Sequence, residues 1–156
     1  MADSKPTTPL INTNMAKQDT THQDSKPSGT ASTALTSLAA LKVILGISCI
    51  IAPRLAGRLF LLDIPRDAVL MARLFGSSCA GLGLVTWNLN RHVAFDEGAL
   101  QSVVIANVLA DVVDVVSCAA AYETGMICDG AFGMLGGGCV VLSVLGIMGF
   151  RGLSSD

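Results

Sequence analysis

Four stretches, at about 33 to 53, 66 to 89, 99 to 122 and 129 to 150, are long and apolar enough to cross a bilayer. A membrane helix needs about 20 mostly apolar residues, and each stretch supplies them. The chain has 156 residues, 51% of them hydrophobic and 14% charged, which lies outside the composition of soluble domains. The predicted fold class is therefore an all-α membrane protein. The connectors are short: "RLAGRLFLLDIPRD" after the first span, "NRHVAFDEG" after the second and "ETGMICDG" after the third. Short connections predict an up-down antiparallel bundle of four transmembrane helices with both termini on one side.

We call the side holding "RLAGRLFLLDIP" side A and the side of the termini side B. Side A carries Arg54, Arg58 and Arg66, and side B carries Lys26, Arg91 and Arg151, so the basic count sets no orientation. Residues 1 to 32 form a polar tail, expected to be disordered, and 152 to 156 a short C-terminal tail. With a net charge of −2 and no basic run, the chain gives no nucleic-acid signal. The five cysteines lack a C-x-x-C and fall in apolar segments, so they read as free, packed thiols. No metal site is expected, because His92 lies in a charged connector with no second histidine nearby. The fourth span is rich in glycine, with Gly133 and Gly137 in G-x-x-x-G spacing. Such spacing lets helices approach closely; packing within the chain is the first expectation, and a homo-oligomer through this helix the second.

The polar residues inside these apolar helices carry the functional signal. Successive helix residues turn by about 100°, which gathers Asn107, Asp111, Asp114 and Tyr122, with Cys118, into a sector of about 80° on the third span. Arg66, Arg73, Ser77, Gly81 and Asn88 form a similar stripe on the second. Depth counting puts Arg73 level with Asp114, and Lys42 level with Asp111 near mid-membrane. A charged group at the bilayer centre costs at least about 2.5–3.5 kcal/mol, so all four charges are expected to face inward. They read either as an interhelical ion-pair network that fixes packing or as a reactive polar pocket.

Two carboxylates one turn apart in low dielectric should not both ionise freely, which sets one up as acid and the other as base. A protonated carboxyl can donate to an epoxide oxygen as its bond breaks, while its ionised neighbour directs water or an internal hydroxyl. Asp111 and Asp114 are the predicted catalytic pair. Asp114 is assigned the ionised role because its depth matches Arg73, the third catalytic residue. Lys42, Asn107, Tyr122 and Ser77 are the predicted supporting residues. No cofactor is implied.

The segment "RLAGRLFLLDIPRDAVLMARLFGSSCAGLGL", followed by "VLADVVDVVS", resembles small four-helix integral membrane proteins of fungi and bacteria with an R-x-x-G-x-R-[DE]-x-x-L-G type segment. Arg73, Gly76, Leu82 and Gly83 match that segment, whereas Ser78 and Cys79 replace its second arginine and acid. The resemblance covers about residues 35 to 150. It implies the epoxide-opening hydrolase or cyclase component of fungal polyketide or meroterpenoid pathways of the aurovertin and citreoviridin type. The implied substrate is a lipophilic small molecule, and the implied location is the endoplasmic reticulum membrane. A proton-coupled transporter or export subunit and a non-catalytic scaffold for a biosynthetic pathway are the rival expectations.

Overall fold

The computed structural model describes residues 29–91 and 97–153. The helices are α1 (Gly29–Ile51), α2 (Pro53–Leu59), α3 (Val69–Arg91), α4 (Glu97–Glu123) and α5 (Asp129–Leu153), and the described residues contain no strand. Four of the five, all but α2, are long and apolar enough to cross a membrane. At about 1.5 Å per residue, even the 23-residue helices exceed a hydrocarbon core of about 30 Å. Their outward faces suit lipid: Ile44, Leu70, Met71, Leu109, Val113 and Val116 are all more than half exposed. No water-driven core could leave so many large apolar side chains outside.

Pro53 ends α1, but the connector is more ordered than its sequence suggests. Proline at the start of α2 needs no backbone donor there, so a two-turn helix follows at once. It closes with Leu62 N–H donating to the Gly57 carbonyl and Leu61 N–H to that of Arg58, a Schellman motif. The left-handed position usually taken by glycine is held by Leu61, with φ 57°. Its side chain lies against Gly130 at the start of α5, where a Cβ would stand 2.7 Å from Leu61 Cδ1. The end of α4 uses the same motif with Gly125 at φ 69°, Met126 N–H donating to Ala121 O and Gly125 N–H to Tyr122 O. These two turns predict opposite responses. Gly125→Ala should lower stability by about 1 kcal/mol, while Leu61→Gly should raise it by a comparable amount, read as shifts in the detergent-solubilised melting temperature.

The long helices pack through glycine and other small residues. A Cβ on Gly46 would lie 2.5 Å from Gly76 O and from Ala80 N, and one on Gly83 would lie 2.8 Å from Ala39 O. The backbones of α1 and α3 thus touch directly, with residue numbers running in opposite senses. Asn90 at the far end of α3 donates to Ser32 O at 3.1 Å and Thr36 Oγ1 at 3.0 Å, which extends this seam to the start of α1. On the other side of α1, Gly149 of α5 meets Leu35, and Gly146 meets Val108 of α4. Leu35, Leu100, Val104 and Leu153 close the interior near side B. At that end Arg91 lies over the Trp87 ring, 4.6 Å from its centroid, as suits an interfacial aromatic anchor.

Three expectations change here. Gly133 and Gly137 meet nothing within 4 Å, so the close approaches of α5 use Gly146 and Gly149 instead. The helix that begins the first span starts at Gly29, inside the stretch read as tail, and α5 continues to Leu153. The rest of both tails, together with His92 to Asp96 of the second connector, lies outside the described residues. The cysteines are all free; Cys49 and Cys79 are buried and Cys118 and Cys139 half-buried, but Cys128 is exposed in the third connector.

A buried lysine–aspartate centre

Five polar residues are buried among the described residues, and every long helix contributes at least one: Lys42 from α1, Thr86 from α3, Asn107 and Asp111 from α4, and Ser143 from α5. Lys42 Nζ donates to Asp111 Oδ1 at 2.8 Å, with both side chains 3% exposed. The expected depth match between these two residues is therefore met by a direct contact. It joins two helices whose backbones stay apart, since α1 and α4 bring no described Cα atoms within 8 Å of each other. Crossing that gap takes a side chain as long as lysine. Its apolar stem occupies the interior while its ammonium reaches the carboxylate.

One turn toward side B, Asn107 donates its amide to Thr86 Oγ1 at 3.1 Å and to Val103 O at 2.9 Å, while Thr86 itself donates to Leu82 O. Asn107 is fully buried. Its Oδ1, Asp111 Oδ2 and the Ser143 hydroxyl oxygen have no hydrogen-bond partner among the described residues. Pairings along α4 and α5, Val108 with Gly146 and Cys118 with Gly136, put Ser143 at the height of Asp111. Unused capacity of this kind is costly in an apolar interior and suits a site meant to receive a further donor or acceptor.

Asp114 is half-buried one turn nearer side A. It forms no ion pair with a described residue, yet lies within electrostatic reach of Lys42 and of the thiols of Cys79 in α3, Cys118 in α4 and Cys139 in α5. The expected Arg73–Asp114 pair does not form. Arg73 is exposed and lines an open groove at the side A end with Pro53, Arg54 and Arg66. Because α3 begins at Val69 rather than Arg66, Arg73 stands about one turn from the helix start, where a long side chain reaches the surface without a carboxylate.

The whole polar stripe expected on the second span lies outside in the same way. Arg66, Ser77, Gly81 and Asn88 are exposed, and Ser77 donates to Leu74 O at 2.8 Å within its own helix. The buried face instead carries Gly76, Cys79, Ala80, Gly83 and Thr86, centred about 120° away around the helix. Small residues win that face because van der Waals contact between backbones, rather than polarity, drives helices together in lipid. Tyr122 does not cap the centre either; it is 40% exposed and stacks on Phe132 with ring centroids 4.8 Å apart. Thr86 and Ser143 were missed by polarity alone. The signal for Thr86 was its helical phase with the small residues Gly76, Cys79 and Gly83, and for Ser143 its three-residue spacing from Gly146 and Gly149.

No protein-family model matches the chain, and neither a curated protein nor a solved structure shows significant similarity to it.

Proposed function

We propose that this chain is a multi-pass membrane enzyme, an up-down bundle of four spans. Its buried carboxylates open an epoxide of a lipophilic oxygenated metabolite, a polyketide or meroterpenoid in character. The observation that carries the reading is the Lys42–Asp111 pair with Asp111 Oδ2 unused and a second carboxyl, Asp114, one turn away and in no ion pair with a described residue. Intramembrane ionisable groups mark functional sites by default. Lysine holds Asp111 as the carboxylate, so the roles are the reverse of those the depth of Arg73 suggested. Asp114 donates its proton to the epoxide oxygen as the C–O bond breaks. Asp111 takes a proton from water, or from a hydroxyl of the substrate, as that oxygen bonds to the carbon. Proton exchange between the two carboxyls then restores both. Ser143 and Asn107 offer the hydroxyl and carbonyl that could orient the attacking oxygen, and a bilayer-dissolved substrate would enter from the lipid side. The resemblance of "ARLFGSSCAGLGL" and "VLADVVDVVS" to cluster-associated membrane proteins supports the same class of substrate.

The test is expression of wild type, Asp111→Asn and Asp114→Asn in a microbial host that makes an epoxidised polyene or prenylated polyketide, with products compared by mass spectrometry. Both variants should lose the opened product by at least about 100-fold at unchanged membrane levels, the scale of general acid–base catalysis. Arg73→Gln should retain it. Full product from either Asp variant would sink the proposal. A second reading draws on the step from buried Asp111 to half-buried Asp114, which suits a proton relay in a transporter. That reading requires pH-dependent flux in proteoliposomes and no product from purified protein.

A further inference from the structure

The groove that holds Arg73 has a use of its own. It is an open depression of about 580 Å³ between the end of α1, the start of α2 and the first turn of α3. Three arginines line it: Arg54 from α2, Arg66 from the connector and Arg73 from α3. All three are exposed, and none forms an ion pair with a described residue, although Asp63 and Asp67 belong to the same connector and Glu123 and Asp129 to the same end of the molecule. Between the arginines the wall is apolar, made by Pro53, Leu55 and Val69. Leu55, Leu70 and Met71 continue that apolar surface, each more than 60% exposed.

Charge and position together select the occupant. Three arginines lining one groove, none in an ion pair with a described residue, call for an anion with several acceptor oxygens, and arginine forks match phosphate oxygens best. The groove lies where two membrane-length helices end, so its apolar wall stands at the level of the upper acyl chains while the arginines reach the headgroups. A soluble phosphate would use the cations and leave the wall idle. We propose that this groove binds the phosphate of an anionic phospholipid, with Arg54, Arg66 and Arg73 on the headgroup and the acyl chain along Leu55 and Val69. Arg73 then serves as a lipid ligand. The assignment stands apart from the chemistry of Asp111 and Asp114.

The test uses the full-length chain solubilised from vesicles of phosphatidylcholine alone and of phosphatidylcholine with phosphatidic acid, with retained lipid counted by native mass spectrometry. Phosphatidic acid should be retained over phosphatidylcholine by wild type. Each single variant, Arg54→Gln or Arg66→Gln, should weaken that preference about fivefold, and the triple variant with Arg73→Gln should abolish it. Arg58→Gln with Arg91→Gln, which changes exposed arginines outside the groove, should keep it. Equal retention by the single variants and wild type would overturn the proposal. So would displacement of the lipid by inorganic phosphate at concentrations that merely match it, since that marks a site for a soluble anion. Should the triple variant fail to fold, the two single variants decide the outcome by themselves.

Discussion

Lys42→Met is expected to be the most damaging single substitution in the interior. It keeps the apolar stem but removes the ammonium that meets Asp111 at 2.8 Å, leaving a carboxylate stranded where both partners are 3% exposed. Breaking a buried pair from one side costs about 3–5 kcal/mol, because the surviving charge has lost its partner but not its desolvation. Asp111→Leu should cost a similar amount for the same reason. The double variant Lys42→Met/Asp111→Leu should recover most of the loss, since an apolar pair of similar volume is often neutral in such a place. A double-mutant cycle on unfolding in detergent or bicelles measures the coupling directly. Losses that simply add would mean the two residues do not act as a pair. The same double variant also separates packing from chemistry: it should fold yet make no opened product.

The second large effect is expected at Gly46. A Cβ there would stand 2.5 Å from two backbone atoms of α3 and 2.8 Å from Ala80 Cβ, so nothing flexible can move aside. Gly46→Val should therefore push α1 away from α3, with a stability loss of about 3 kcal/mol at the upper end of ordinary overpacking. Lys42 lies one turn earlier on the same helix, so the displacement should also loosen the ion pair. Gly137→Val, at a position that meets nothing within 4 Å, should stay within about 0.5 kcal/mol of wild type. If the two variants unfolded alike in SDS titrations, the α1–α3 seam would not be the tight contact its geometry describes.

Much of the architecture was legible in the sequence. Apolar runs of membrane length specify helices irrespective of their neighbours, and Pro53 breaks the first of them for a local reason. Lys42 and Asp111 could be matched because depth along a straight helix is a matter of counting, and both lie in mid-span. Asn107 and Asp114 followed from helical phase on the same face as Asp111. What counting cannot supply is rotation about the helix axis relative to a neighbour. On α3 two candidate faces existed, one polar and one small, and the sequence offered no way to rank them. Contact between backbones chose the small face. That choice turned Arg73 outward and made Thr86 the partner of Asn107; on α5, packing through Gly146 and Gly149 left Gly133 and Gly137 in the open. The apolar spans and the depth of their charges were thus determined by the sequence alone, through local helix geometry and the solvation of charge. The facing of α3 and the diagonal reach of Lys42 were decided only in the tertiary structure, because close packing depends on the shapes of two helices at once.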